Sequence, residues 1–194
     1  PGIAVEMVSM LAEYVPGLVV EFSRAPWTRC LATLESGEAD AIFNSSYNES
    51  RLKAGRYPTL DGTPNGKPDT EKRITTIAYH LYKTAGSDIA WNGKEIAGLG
   101  SSKIGAILGY SIVNDLKKLN VSVNEVAAGT PAILKMLVAG RFPAAALQDV
   151  TADALIARTP EYAEKLVKDE RPIVSKPYYL MLSHQFVARY PETA

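Results

Sequence analysis

Two short polar stretches each follow an apolar run in this chain of 194 residues. NSSYNESR, at 44–51, carries hydroxyls on Ser45, Ser46 and Tyr47 and a guanidinium on Arg51. A guanidinium is a planar fork of donors that matches a carboxylate bidentately. Arg51 is therefore read either as an anion clamp or as a solvated residue at a helix start. LQDVTAD, at 147–153, places Asp149 where an aspartate suits the opening of a helix, as an N-cap. GAILGYS, at 105–111, is a glycine turn between an apolar run and a helical pattern. Free amides at such a turn hold anions, so Gly109, Tyr110 and Ser111 are candidates for a carboxylate. The spacing fits neither a dinucleotide fingerprint nor a Walker loop. AGT, at 128–130, is the matching turn before the next helix, where Thr130 assists or merely caps. Trp27, after Ala25-Pro26, is either an aromatic wall for the apolar body of a ligand or part of the core.

Catalytic and metal chemistry have little to work with. The two histidines, His80 and His184, have no nearby cysteine and no spaced carboxylate pair, so no metal site or cofactor is expected. There is no Gly-x-Ser-x-Gly. Cys30, the single cysteine, sits in the apolar TRCLATL helix and reads as a buried thiol rather than a nucleophile. One cysteine allows no internal disulfide and does not identify a compartment. Lys plus Arg and Asp plus Glu are both 21, so the net charge is zero, which argues against a nucleic-acid surface. An apolar fraction of 46% suits a globular protein with a real core. No apolar run approaches the roughly 20 residues needed to span a bilayer.

The elements that must position these residues repeat. LATLESGEADAIF (31–43) and LKMLVAGRFPAAAL (134–147) both run Leu-x-x-Leu-x-x-Gly-x-x-x-Ala into an apolar run. Leu31, Leu34, Gly37 and Ala41 match Leu134, Leu137, Gly140 and Ala144 at one offset (140 − 37 = 103). Val20 and Val123, and Pro26 and Gly129, keep that offset, and Asp149 lies as far after Ser46. Leu-x-x-Leu-x-x-Gly is also how any amphipathic helix ends. Two copies in register with flanking strands predict two similar α/β lobes. The first part reads as helix (3–15), buried strand (18–22), helix closed by Gly37, and strand (39–43), an alternation that implies parallel strands and crossover helices. GRYPTLDGTPNGKPDTEK (55–72), with three prolines and three glycines in 18 residues, predicts a surface loop outside the core. ITTIAYHLYK (74–83) and KPYYLMLS (176–183) read as long strands, and 91–100 as a turn-rich connector. Strands at 103–108, in VSVNEV and in PAAALQD alternate with helices over 110–119, TPAILKMLVAG and 150–157.

PGIAVEMVSMLAEYV, EFSRAPWTRCLATLESGEADAIFNSS and NESR resemble the first lobe of extracellular solute-binding proteins of family 3, the type II periplasmic binding proteins of polar amino-acid uptake. KIGAILGYS and ILKMLVAGRFPAAALQD resemble the second lobe. The resemblance implies two α/β lobes, each a mostly parallel sheet flanked by helices, joined by two crossing strands, with the ligand in the cleft. Lobe 1 would be 1–83 plus 178–194, and lobe 2 would be 84–177. It implies that Arg51, at the place of the arginine in the family's Thr-x-x-x-Arg segment, holds a ligand carboxylate. Asp149 would accept from the ligand ammonium, and Trp27 would line the cleft. The implied function is binding of an amino acid or related carboxylate by a periplasmic or extracellular, membrane-associated monomer, without catalysis, for delivery to an ABC transporter permease. A ligand-sensing domain of a membrane receptor and a dehydratase-like enzyme are the alternatives on the same fold. Two features depart from the family: the 55–72 loop is longer than in the usual amino-acid binders, and Pro143 stands where Asp is frequent. The family's first strand is expected before Pro1, and its C-terminal helix would run beyond Ala194.

Overall fold

The computed structural model describes residues 2–193. In chain order the elements are α1 (Ile3–Ser9), α2 (Leu11–Tyr14), α3 (Trp27–Ser36), β1 (Ala41–Ser46), β2 (Gly55–Arg56), β3 (Thr75–Thr84), β4 (Ala90–Trp91) and β5 (Ile96–Ala97). There follow β6 (Ile104–Ile107), α4 (Ile112–Lys118), β7 (Val123–Val126), α5 (Thr130–Val138), β8 (Ala144–Gln148), α6 (Asp149–Arg158), α7 (Pro160–Lys165), β9 (Leu166–Lys168), β10 (Val174–Ser183) and α8 (His184–Arg189). Short 3-10 turns cover Glu49–Arg51 and Thr70–Lys72. The chain forms two compact units, Pro1–Thr76 with Pro177–Ala194, and Ile77–Lys176. The backbone leaves the first unit within β3 and returns to it within β10.

The first unit is built on α3 and β1. The leucine spacing of α3 turns Leu34 fully inward, onto a core of Ile42, Ala54, Tyr57, Tyr179 and Met181. The helix ends at Gly37 with φ 76°, a left-handed conformation that costs glycine nothing. β1 then runs antiparallel to β10, with Ala41 opposite Leu182 and Ser46 opposite Tyr178, and an irregularity between Ile42 and Ser45. Asn44, inside that irregularity, has φ 57°, which asparagine tolerates better than most residues. The buried strand expected over 18–22 does not form. Val19 is 79% exposed, and no ladder partner lies along the segment among the described residues. A β-branched run has strand propensity, but a strand exists only where another backbone takes its hydrogen bonds. Among the described residues the ladders of this half, β1 and β2 with β10, are antiparallel, where parallel pairing was expected.

The segment 55–72 is a surface excursion only in its middle. Gly55 and Arg56 pair with Ser183 and Leu182 of β10. A Cβ at Gly55 would lie 2.4 Å from the Leu182 carbonyl oxygen, so only glycine brings the two backbones this close. Tyr57 is 3% exposed and Thr59 7%, both anchored before the proline-rich part begins. Residues 60–65 are exposed, and the Leu60 amide donating to the Lys67 carbonyl at 3.0 Å closes the tip.

In the second unit β7, β6 and β8 are parallel, β3 is antiparallel to β8, and β9 is antiparallel to β3. Buried parallel strands read as continuous apolar runs, as Ala144–Leu147 does, all four residues being buried. Ile133, Leu134 and Leu137 of α5 pack with Tyr82, Phe142, Leu147 and Ala152. The connector after β3 holds a small hairpin, β4 with β5, clamped by a later loop. The Trp91 amide donates to the Asp169 carboxylate at 2.7 Å, and its indole to the Pro172 carbonyl at 2.9 Å. Asp169 also pairs with Lys83 at 2.8 Å. The repeat holds locally. Pro26 and Gly129 precede α3 and α5, and Gly37 and Gly140 follow them at φ 76° and 67°. The match of Val20 to Val123 fails, because only Val123 lies in a strand.

Candidate functional site

In the first unit five of the candidate residues come together. β1 ends on Ser45 and Ser46, both essentially fully buried. The chain then turns through Tyr47 into the short 3-10 turn that carries Arg51. Asn48 caps this turn by accepting from the Ser50 amide at 3.0 Å. Arg51 is only 6% exposed, so it is not the solvated residue of the bland alternative. One guanidinium nitrogen donates to the Ser46 carbonyl at 2.7 Å and to the Ser46 hydroxyl at 3.1 Å. The guanidinium carbon stands 4.9 Å from the centre of the Trp27 ring, within cation–π range. Trp27, half-buried at the start of α3, thus serves as a platform for the cation while contributing to the apolar cluster.

The sequence reading missed Tyr57. Its hydroxyl donates to the Ser46 carbonyl at 2.7 Å and lies 2.8 Å from the Ser45 hydroxyl. Its ring meets Tyr47 and Tyr179 edge-on, with centroids 5.3 and 5.8 Å apart. Burial pushes the Tyr57 phenol above its ordinary pKa, and the Ser45 hydrogen bond and the Arg51 charge offset this only partly. The phenol therefore stays neutral and acts as a donor. The only signal for it was an aromatic residue in a loop otherwise full of proline, glycine and charge.

In the second unit the candidates occupy turns at the carboxyl ends of parallel strands, the end at which open α/β sheets present ligand-binding loops. Gly109–Ser111 follows β6, Thr130 follows β7, and Asp149 follows β8. Gly109 takes φ 75° and is exposed, Tyr110 is half-buried and Ser111 is 4% exposed. Thr130 is the buried first residue of α5, ahead of Pro131. Asp149 is the first residue of α6, and its carboxylate accepts from the Val150 amide at 2.8 Å. The cap position itself belongs to Gln148, whose side-chain amide donates to the Tyr79 hydroxyl at 3.1 Å. Lys176, another residue the sequence reading missed, donates to the Ser111 hydroxyl at 3.0 Å and pairs with the Asp115 carboxylate. It brings a largely buried cation to the Gly109–Ser111 turn.

The remaining reactive side chains have structural partners. His80 Nδ1 lies 2.8 Å from the Asp169 carbonyl, and His184 Nε2 lies 2.8 Å from the Leu52 carbonyl. The Cys30 thiol faces the Ala25 carbonyl at 3.5 Å. Among the described residues no group of three or more His, Cys, Asp or Glu could hold a metal ion. No helix among them is long and apolar enough to cross a membrane.

No protein-family model and no curated protein matches the chain. Solved structures do match its fold along nearly its whole length. An ancestral arginine-binding protein bound to glutamine matches with a TM-score of 0.73 at 17% identity, over 98% of this chain and 82% of that one. A putative binding component of an ABC transporter from Wolinella succinogenes, complexed with lysine, matches at 0.72 and 11%, over 99% and 81%. A histidine kinase sensor domain with similarity to periplasmic binding proteins matches at 0.72 and 21%, over 99% and 78%. At these identities the likeness is one of fold. The chain has the mixed α/β fold of the type II periplasmic binding proteins.

Proposed function

We propose that this chain binds an amino acid or related small carboxylate, with Arg51 receiving the ligand carboxylate and Asp149 its ammonium. The observation that carries the reading is the buried Arg51 guanidinium, stacked on Trp27 and anchored to Ser46. A desolvated guanidinium fixed in this way is suited to a carboxylate and poorly suited to a cation or a neutral apolar ligand. Ser45, Ser46 and Tyr47 supply hydroxyls beside it. Gly109–Ser111, with Lys176, and Thr130 supply donors from the second unit. Binding proceeds without turnover, in the periplasm or outside the cell, and the solute passes to an ABC transporter permease.

Calorimetric titration against amino acids and small dicarboxylates tests this. A charge-assisted hydrogen bond contributes roughly 1.5–3 kcal/mol. Arg51→Ala should therefore weaken any carboxylate ligand about 10- to 150-fold. Asp149→Asn should weaken only ligands with a cationic amine. Wild-type affinity in both variants would remove the proposal.

The likeness to the histidine kinase sensor domain favours a second reading, in which the same binding event is read by a signalling module. The full-length gene separates the two. A kinase or other output domain with a membrane span indicates sensing, and a neighbouring permease gene indicates transport.

A further inference from the structure

The second unit carries a groove of about 620 Å³ at the end of its sheet opposite Gly109, Thr130 and Asp149. It lies where β6, β7 and β8 begin, and it is lined by Lys103, Arg141, Asn124, Thr84 and Ser102 over Phe142. That volume falls in the range of small-ligand sites. β8 spans five residues between the two ends of the sheet, so the groove stands roughly 15 Å from the Asp149 turn.

Its chemistry is one-sided. Two cations line it and no carboxylate does. Among the described residues neither Lys103 nor Arg141 forms an ion pair. Both stand on hydrogen-bonded backbone. The Gly140 amide donates to Leu137 and the Arg141 amide to Met136, each at 3.0 Å, in a left-handed helix closure that fixes the base of Arg141. Ile104, next to Lys103, donates to the Ser122 carbonyl at 3.0 Å. The floor is equally fixed. The Phe142 ring fills the space over Gly105, where a Cβ would meet it at 2.5 Å. Two cations on held backbone, an amide and two hydroxyls around the groove suit the anionic head of a small ligand.

We propose that this groove is a second binding site, for a small organic phosphate or carboxylate, separate from the Arg51 and Asp149 residues. Backbone-amide NMR of the full chain, titrated with phenyl phosphate and with benzoate, tests it. At least one probe should give saturable shifts centred on 102–103, 124 and 140–142. Lys103→Ala combined with Arg141→Ala should weaken that binding by about tenfold or more. Lys118→Ala, which removes an exposed cation on α4, should leave it unchanged. Arg51→Ala should also leave it unchanged, which separates a failure here from a failure of the proposed function. The proposal is overturned if neither probe saturates, if the shifts scatter over the surface lysines, or if the double variant binds like wild type. If the double variant does not fold, the wild-type shift map decides alone.

Discussion

Arg51 shows how much a single side chain depends on what surrounds it. Its charge is held by a carbonyl, a hydroxyl and an indole face, and each of these uses the planar shape of the guanidinium. Lysine would keep the charge and lose the fork and the stacking. We expect Arg51→Lys to bind ligand nearly as poorly as Arg51→Ala, as read by calorimetry; wild-type affinity in the lysine variant would show that charge alone suffices. Gly105 is a second position where one atom matters. Its missing Cβ is the space taken by Phe142. Overpacking of this kind costs about 1–3 kcal/mol. Gly105→Ala should therefore lower the melting temperature, by roughly 2–4 °C per kcal/mol. An unchanged melt would mean that the Phe142 ring swings aside freely.

At the scale of elements, the 55–72 segment divides into an anchor and a tip. Thr59 bridges to Pro68, and the Leu60 amide reaches the Lys67 carbonyl at 3.0 Å, so the tip 61–66 hangs from a closed neck. Replacing 61–66 by Asn-Gly, a pair suited to a tight hairpin turn, should change stability by less than about 1 kcal/mol. Tyr57→Ala should behave quite differently, because it empties a buried aromatic site and frees the Ser45 and Ser46 oxygens. Truncations of large core aromatics cost about 3–5 kcal/mol. Chemical denaturation of the two variants measures the contrast, and a large loss on trimming the tip would show that it packs against more than itself.

Across the whole molecule, three buried phenols link stability to pH. Burial is the largest cause that raises the pKa of Tyr57, Tyr82 and Tyr179, and for Tyr82 the hydrogen bond to Asp153 and the charges of Asp153 and Asp149 add to it. An unfolded tyrosine ionises near pH 10, whereas these stay protonated above that in the folded state. The folded state binds the protons more tightly, so their contribution is complete below about pH 10 and is lost as the pH rises beyond it. Melting temperatures should be level from about pH 8 to 9.5 and fall above 10. Tyr82→Phe should flatten part of that fall. A curve that keeps its slope in Tyr82→Phe would assign the alkaline loss to other groups.

The sequence by itself determined what depends on neighbours along the chain. Helix, left-handed glycine and strand follow one another at both copies of the repeat, because leucine spacing and the freedom of Gly37 and Gly140 at positive φ act within a few residues. The placing of Arg51 in a short turn and of Asp149 at a helix start followed from the same local rules, whereas Ser45 and Ser46, which read as loop, belong to β1 because β10 takes their hydrogen bonds. Only the tertiary structure decided which strand found a partner and which side chains joined a cluster. LVVEF has the composition of a strand and no ladder, since pairing requires a second backbone beside it. Tyr57 sits in a stretch that reads as loop and becomes core because β10, more than a hundred residues on, receives Gly55 and Arg56. Lys176 reaches Ser111 across 65 residues of sequence, and Trp91 reaches Asp169 across 78. Burial and pairing are set by residues distant along the chain, and no local pattern records which of them will meet.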